Sequence, residues 1–253
     1  MHLSALSMNL FRRLTIKTER RSQIDKALKS FKPRSSLSLG EVLALFATLS
    51  SVSLRAIHLY NRGPANVIFL LQPCHLYAFT LCTLPLLPQR SFLPHFLFNV
   101  MIYILWGAML AVIFPDLRDY AQLFELENFW IEHALVLILP IYFVVTKKYQ
   151  LFPFSLSFAF TSWVAFALYH SAILCTAALT VGKNLNYMLA PPPGPLEYFG
   201  DAYRAVMFTF CIFLTAIFGG IYTTICRLAL ELFSKFGSPK KTPQKLKSSK
   251  KAN

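Results

Sequence analysis

Apolar residues in this chain gather into long runs separated by short polar breakers, not into the brief alternating stretches of a water-soluble domain. Six runs, at about 39–59, 65–87, 92–115, 129–146, 153–180 and 205–226, are predicted to be helices. Each is close to the roughly 20 residues that cross about 30 Å of hydrocarbon at a 1.5 Å rise per residue. The breakers are Asn61-Arg62-Gly63-Pro64, Pro88-Gln89-Arg90, the acidic stretch from Asp116 to Glu127, Lys147-Lys148, and Pro191-Pro192-Pro193-Gly194-Pro195. No internal repeat is visible, and the low-complexity segment is the Lys/Ser/Pro tail after Gly237. The pattern predicts an all-α protein: a six-helix transmembrane bundle over 39–226, flanked by a basic N-terminal tail (1–38) and a basic C-terminal tail (227–253).

Charge adds an orientation. The 253 residues are 55% hydrophobic and 14% charged, with a net charge of +14. Nine of the Lys and Arg residues lie in 1–38 and eight from Arg227 onward. Long apolar runs between two basic tails argue for anionic lipid surfaces as the partner of that charge, and against nucleic acid. With the N-terminus inside, twenty basic residues fall inside and four outside, with Arg55 left within the first span. That asymmetry predicts both tails in the cytosol, and an even number of spans agrees. The first ten residues are too short for a signal peptide, and the Arg- and Ser-rich start reads as a cytosolic tail in preference to a mitochondrial presequence. Lys250 and Lys251 stand fourth and third from the end of the sequence. On a cytosolic tail they match a dilysine signal for coat-protein retrieval to the endoplasmic reticulum.

Candidate chemistry lies in polar residues inside apolar runs, where they are costly. In Gln72-Pro73-Cys74-His75, Pro73 removes a backbone donor and should kink its helix, leaving Cys74 just beyond the break in polar company. Cys74 lies roughly 14 Å and His170 roughly 15 Å in from the outer ends of their spans, and His133 roughly 6 Å in, so all three fall in the same half of the bilayer. A cysteine near a histidine offers a thiolate and its base. Neighbours on one helix do not face each other, so His75 is expected to serve Cys74 poorly, and His133 or His170 better. The bland alternative is a buried packing cysteine, the reading given to Cys82, Cys175, Cys211 and Cys226. Glu41 and Arg55 are expected to snorkel from the two ends of the first span, and Asp116, Asp119, Glu125 and Glu127 to form a solvated loop face. No CxxC pattern, His-x4-Asp, His-Glu-x-x-His, Gly-x-Ser-x-Gly or phosphate-binding loop occurs. No metal or other cofactor is expected.

These segments resemble the transmembrane protein 164 family. Leu71-Gln72-Pro73-Cys74-His75-Leu76 is similar to its Asn-Pro-Cys-His-Leu segment. Phe114-Pro115, Phe124-Glu125-Leu126-Glu127 and Ile131-Glu132-His133 are similar to its Phe-Pro, Phe-Glu-Leu-Glu and Ile-Gln-His run. Pro140-Ile141-Tyr142, Tyr169-His170 and Asn184-Leu185-Asn186-Tyr187-Met188-Leu189 follow in the family's order. The resemblance, which covers Phe69 to Pro191, implies an acyltransferase. It would move a polyunsaturated acyl chain from phosphatidylcholine to an ether-linked lysophosphatidylethanolamine through a cysteine–histidine pair, here Cys74 and His133. His75, His170, Asn184, Asn186 and Gln72 are the expected orienting or substrate-binding groups, although the two asparagines could equally cap a turn. Gln72 replaces the family's Asn, Glu132 its Gln and Ala190 its Cys, departures that bear on substrate preference. The competing readings are a non-enzymatic adaptor in autophagy or lipid traffic that works through its basic tails, and a lipid or ion carrier lined by Pro73 and the histidines. Oligomeric state is left open.

Overall fold

A computed structural model describes residues 37–237 except Asp119, together with Lys26, Leu28, Lys29 and Phe31. The basic tails beyond these residues, Lys250 and Lys251 included, lie outside the described residues. Helices α1 (Leu39–Asn61), α2 (Pro73–Thr83), α3 (Phe92–Ile104), α4 (Trp106–Ile113), α5 (Glu125–Val145), α6 (Leu156–Leu168), α7 (Cys175–Val181) and α8 (Tyr203–Gly237) carry the fold. Tight 3-10 turns at Pro64–Leu71, Leu84–Leu86, Leu185–Tyr187 and Pro195–Ala202 and a π-helical turn at Tyr169–Leu174 join them, and no strand occurs among the described residues. Five stretches are long and apolar enough to cross a membrane unbroken: α1, α3 with α4, α5, α6 through α7, and the last helix with the turn before it. The sixth is Pro64–Leu71 and Pro73–Leu86, bent by 69° at the expected Pro73 break. The last helix runs to Gly237, past its expected end at 226.

Whether the bent pair crosses or turns back is decided by its neighbours. At the face where α1 begins, the Ser38 and Tyr142 hydroxyls are 3.3 Å apart and Lys148 Nζ lies 4.0 Å from Glu41. Helix α5 therefore ends where α1 starts. The α5–α6 loop binds the start of α3: Gln150 N–H donates to His95 Nδ1 (3.1 Å), and Asn99 accepts from Phe152 N–H (2.8 Å). So α3 also begins at this near face. Helix α1 ends at the far face, where the His58 ring bonds the Leu123 carbonyl (3.0 Å) and Gln122 donates to the His58 carbonyl (2.7 Å). The chain must travel from far to near between Asn61 and Phe92, and the Cys82 thiol accordingly reaches the Leu45 carbonyl at 3.9 Å. The pair is one broken span, and Leu39 and the C-terminal end of α8 share the near face.

The aromatic core between α2, α3, α5 and α6 includes Phe98 stacked on Tyr149 (4.6 Å between ring centres) and Phe143 edge-on to the same ring (5.5 Å). A Cβ on Gly219 would lie 2.5 Å from the Tyr103 ring, so that glycine lets α8 close onto α3. Ser38 and Glu41 form a capping box: the Ser38 hydroxyl accepts from Glu41 N–H (3.2 Å) and the carboxylate from Ser38 N–H (2.5 Å).

Three expectations about charged residues are overturned. Glu41 does not snorkel; it is buried beside Lys148. Arg55 does not snorkel either: it donates to Glu125 (3.0 Å) and to the Tyr120 hydroxyl (3.0 Å). Glu125 is not part of a solvated face; it is buried, pairs also with Arg62 (2.6 Å), and accepts from Ala121 N–H (3.1 Å) and Gln122 N–H (3.2 Å). An isolated charge in hydrocarbon is expensive, and pairing across helices satisfies it where snorkelling would not. Tyr120 takes part in the cluster, with the Arg55 guanidinium 4.8 Å from its ring centre, and burial pushes its hydroxyl up to about 12, which keeps it neutral.

Two outcomes follow from this packing. Glu125→Ala should cost about 3–5 kcal/mol, because it leaves Arg55 and Arg62 without their buried counter-charge; unfolding of the purified protein in detergent measures the loss. An impermeant maleimide should label Tyr60→Cys and Arg90→Cys from opposite sides of the membrane, whereas labelling from one side would make the bent pair a re-entrant loop.

Candidate active site

The break at Pro73 builds the site. Gln72 takes the N-cap position of α2 in extended conformation, its own N–H donating to the Phe69 carbonyl (2.9 Å), and its side chain caps nothing. Pro73 opens the helix without an N–H, and the first intrahelical bond is Leu76 N–H to the Gln72 carbonyl (3.1 Å). The amides of Cys74 and His75 thus lie in the first turn with no helical carbonyl behind them, at the positive end of the helix dipole. On the other side of the break the Leu71 carbonyl loses its helical donor, and the Tyr169 hydroxyl supplies one at 2.6 Å. Tyr169 opens the π-helical turn, so the irregular part of one span braces the irregular part of another.

Around Cys74 the structure gathers three buried side chains: His75 from α2, and Glu132 and His133 from α5. The thiol is half-buried, with a polar atom of His75 and one of Glu132 within 4.8 Å of the sulfur and His133 acting on it electrostatically. His75 Nδ1–H donates to the Glu132 carboxylate. His133 Nδ1–H donates to the Phe129 carbonyl one turn back (2.8 Å), and its ring stacks on Phe129 at 4.2 Å. That bond fixes the tautomer in which Nε2 carries a lone pair, and neither this Nε2 nor that of His75 has a hydrogen-bond partner. The site therefore holds a thiol, an imidazole poised to accept its proton, and two free backbone amides beside the sulfur. This is the constellation of a nucleophile, its base and an oxyanion cradle.

The expectation that His75 could not face Cys74 fails. In the first turn of α2 the two side chains meet, and Cys74, His75 and Glu132 bring their polar atoms within 4.8 Å of one another. Residues of this kind so close could share a metal ion. Here the carboxylate and Nδ1 are bonded to each other as a buried carboxylate–imidazole pair.

The other expected residues sit elsewhere. His170 has the same local bond as His133, Nδ1–H to the Phe166 carbonyl (2.8 Å), but its Nε2 already accepts from the Asn186 amide (2.7 Å). His170 is fully buried, with Leu174 and Tyr169 of the same turn packed on a small apolar cluster with Leu185 and Met188. Asn184 closes a turn, accepting from Leu189 N–H (2.8 Å) and Ala190 N–H (3.2 Å). Two residues of the arrangement were not singled out from the sequence. Glu132 was noted only as a neighbour of His133, although it faces His75. Tyr169 was passed over for the histidine beside it; a tyrosine one span away from a proline break, at matching depth, was the available clue.

The model of the TMEM164 family matches residues 4–222. The Transmembrane protein 164 homolog of Dictyostelium discoideum is 30% identical over 199 residues, which cover 78% of this chain and 70% of that protein. No solved structure matches the chain. With that match covering well over half of the chain, this multi-pass membrane protein belongs to the TMEM164 family.

Proposed function

We propose that the protein is a membrane-embedded phospholipid transacylase working through an acyl-cysteine. The observation that carries the reading is the Cys74 thiol at a helix start with free amides, near a His133 whose Nδ1 is committed to the Phe129 carbonyl and whose Nε2 is left without a hydrogen-bond partner. In the first half-reaction the thiol proton passes to His133 Nε2 while sulfur forms a bond to the ester carbonyl carbon of the donor phospholipid. The carbonyl electron pair moves onto oxygen, within reach of the Cys74 and His75 amides. Collapse breaks the ester C–O bond, and the departing glycerol oxygen takes the proton back from His133, releasing a lysophospholipid. In the second half-reaction His133 takes the proton of the acceptor hydroxyl, that oxygen attacks the thioester, and the leaving sulfur regains the proton. Atoms and charge balance without a cofactor.

A bilayer site suits this chemistry, since both lipids diffuse there and the surrounding apolar wall limits hydrolysis of the thioester. The donor that the resemblance implies is phosphatidylcholine carrying a polyunsaturated chain, and the acceptor an ether lysophosphatidylethanolamine. Arg90, Lys147, Lys148 and Arg227 at the near face, together with the basic tails, favour that face as cytosolic. Lys250 and Lys251 would then be read by coat proteins and keep the enzyme in the endoplasmic reticulum.

Membranes containing the protein should transfer labelled acyl chains from phosphatidylcholine to a lysophospholipid acceptor and yield a hydroxylamine-sensitive adduct on Cys74. Cys74→Ala should abolish both signals, and His133→Ala should slow transfer by about 10²–10⁴-fold. Tyr169→Phe should lower the rate by about tenfold, because it leaves a buried carbonyl at the break without its donor. Transfer that survives Cys74→Ala overturns the mechanism, and a function lost on removing the tails but kept in Cys74→Ala is that of an adaptor.

A further inference from the structure

One imidazole can move every proton the proposed cycle requires, yet two lie near the thiol. The second, His75, is tied through Nδ1 to a fully buried carboxylate, Glu132. A carboxylate at this depth needs a cation. Arg55 of α1 acts on Glu132 from farther off, but its guanidinium is already bonded to Glu125 and Tyr120. His133 is adjacent in sequence, but its Nδ1 faces the Phe129 carbonyl. The group in contact with the carboxylate is the His75 ring. The remaining titratable groups around the sulfur, Tyr77, Tyr120 and Tyr169, carry no positive charge.

We infer that His75 and Glu132 form a fixed-charge pair with a role separate from that of His133. Glu132 holds His75 as an imidazolium, whose unpartnered Nε2–H supplies positive charge beside the sulfur and the place where the carbonyl oxygen gains charge. His75 keeps its proton throughout, whereas His133 gives and takes one in each half-reaction. His75 is thus an electrostatic partner of thiolate and oxyanion, and Glu132 is a positioning residue acting through it. The inference rests on reading Cys74 as a nucleophile, not on which lipid it attacks.

The test follows the alkylation rate of Cys74 by iodoacetamide at neutral pH in the full-length protein, read by mass spectrometry, beside acyl transfer. Glu132→Gln keeps the size and a hydrogen-bond acceptor but removes the charge; it should slow alkylation by about tenfold or more and lower kcat with KM little changed. Glu132→Asp restores the charge one methylene back and should recover part of both. It also carries the test, against wild type, should the glutamine variant not accumulate. His75→Gln should slow alkylation at least as much as Glu132→Gln, and adding Glu132→Gln to it should change little further. Alkylation at the wild-type rate in Glu132→Gln, or losses in Glu132→Gln and His75→Gln that simply multiply, would overturn the pairing. Slowed alkylation in Glu132→Gln with no acyl transfer by wild type leaves the pair standing and removes the transacylase. Normal transfer in every variant does the reverse.

Discussion

The arrangement depends on one missing hydrogen. Within hydrocarbon every backbone N–H and C=O must find a protein partner, which is why membrane spans are continuous helices. Pro73 cannot supply an N–H, so a span that would otherwise be a single rod bends by 69° and exposes carbonyls on one side of the break and amides on the other. The two sides are treated differently. The Leu71 carbonyl receives a dedicated donor, the Tyr169 hydroxyl, from another span. The amides of Cys74 and His75 receive no helical acceptor. An unpaired donor in a dry site costs free energy at rest and stabilises whatever negative charge forms beside it, so the cost and the proposed catalytic advantage come from the same two atoms.

Holding such a break in register needs rigid neighbours, and buried charge provides part of the frame. At the far face Arg55 and Arg62 of the α1 end grip Glu125 at the first residue of α5. At the near face Lys148, just beyond α5, lies beside Glu41 in the first turn of α1. The same two helices are thus fastened at both ends. Residues of α5 between these clamps, Glu132 and His133 above all, are held at a fixed depth relative to the break. Surface ion pairs contribute little to stability, but pairs inside a membrane cannot be released to water and so act as registers.

Much of this was legible from the chain alone. Run length located the spans to within a few residues, except that the last helix continues to Gly237, well past the expected 226; composition alone separates lipid from water as the solvent. The kink at Pro73 was readable because proline's missing donor is a local fact; the helical rise put Cys74, His133 and His170 in one half of the bilayer, and the preference for His133 came from the family resemblance. What could not be read were pairings across helices. Glu132 and His133 are neighbours in sequence, but about 100° of helical rotation sends one to the His75 ring and the other to the thiol. Arg55 and Glu125 are seventy residues apart, and nothing local distinguishes a paired arginine from a snorkelling one. Helix periodicity itself misled in one place: the rule that adjacent residues diverge holds for contacts along a helix surface. It did not hold for Cys74 and His75, whose side chains meet in the first turn, where the chain has just changed direction.

His133 and His170 show why residue type and depth are not enough to assign a base. Both stand four residues after a phenylalanine whose carbonyl takes the Nδ1 proton, both stack on that phenylalanine's ring, and both are buried. They therefore present the same tautomer, with a lone pair on Nε2. What separates them is the occupant of that lone pair. At His170 it is the Asn186 amide, delivered by a turn in which Asn186 itself adopts φ +46°, a left-handed conformation that asparagine tolerates better than most residues. At His133 no amide arrives, and Nε2 is left without a hydrogen-bond partner near the thiol. A basic nitrogen already accepting a hydrogen bond must give it up before taking a proton from a substrate, whereas an unpartnered one is free to take it. The choice between two locally equivalent histidines is made by what the rest of the fold brings to one nitrogen atom.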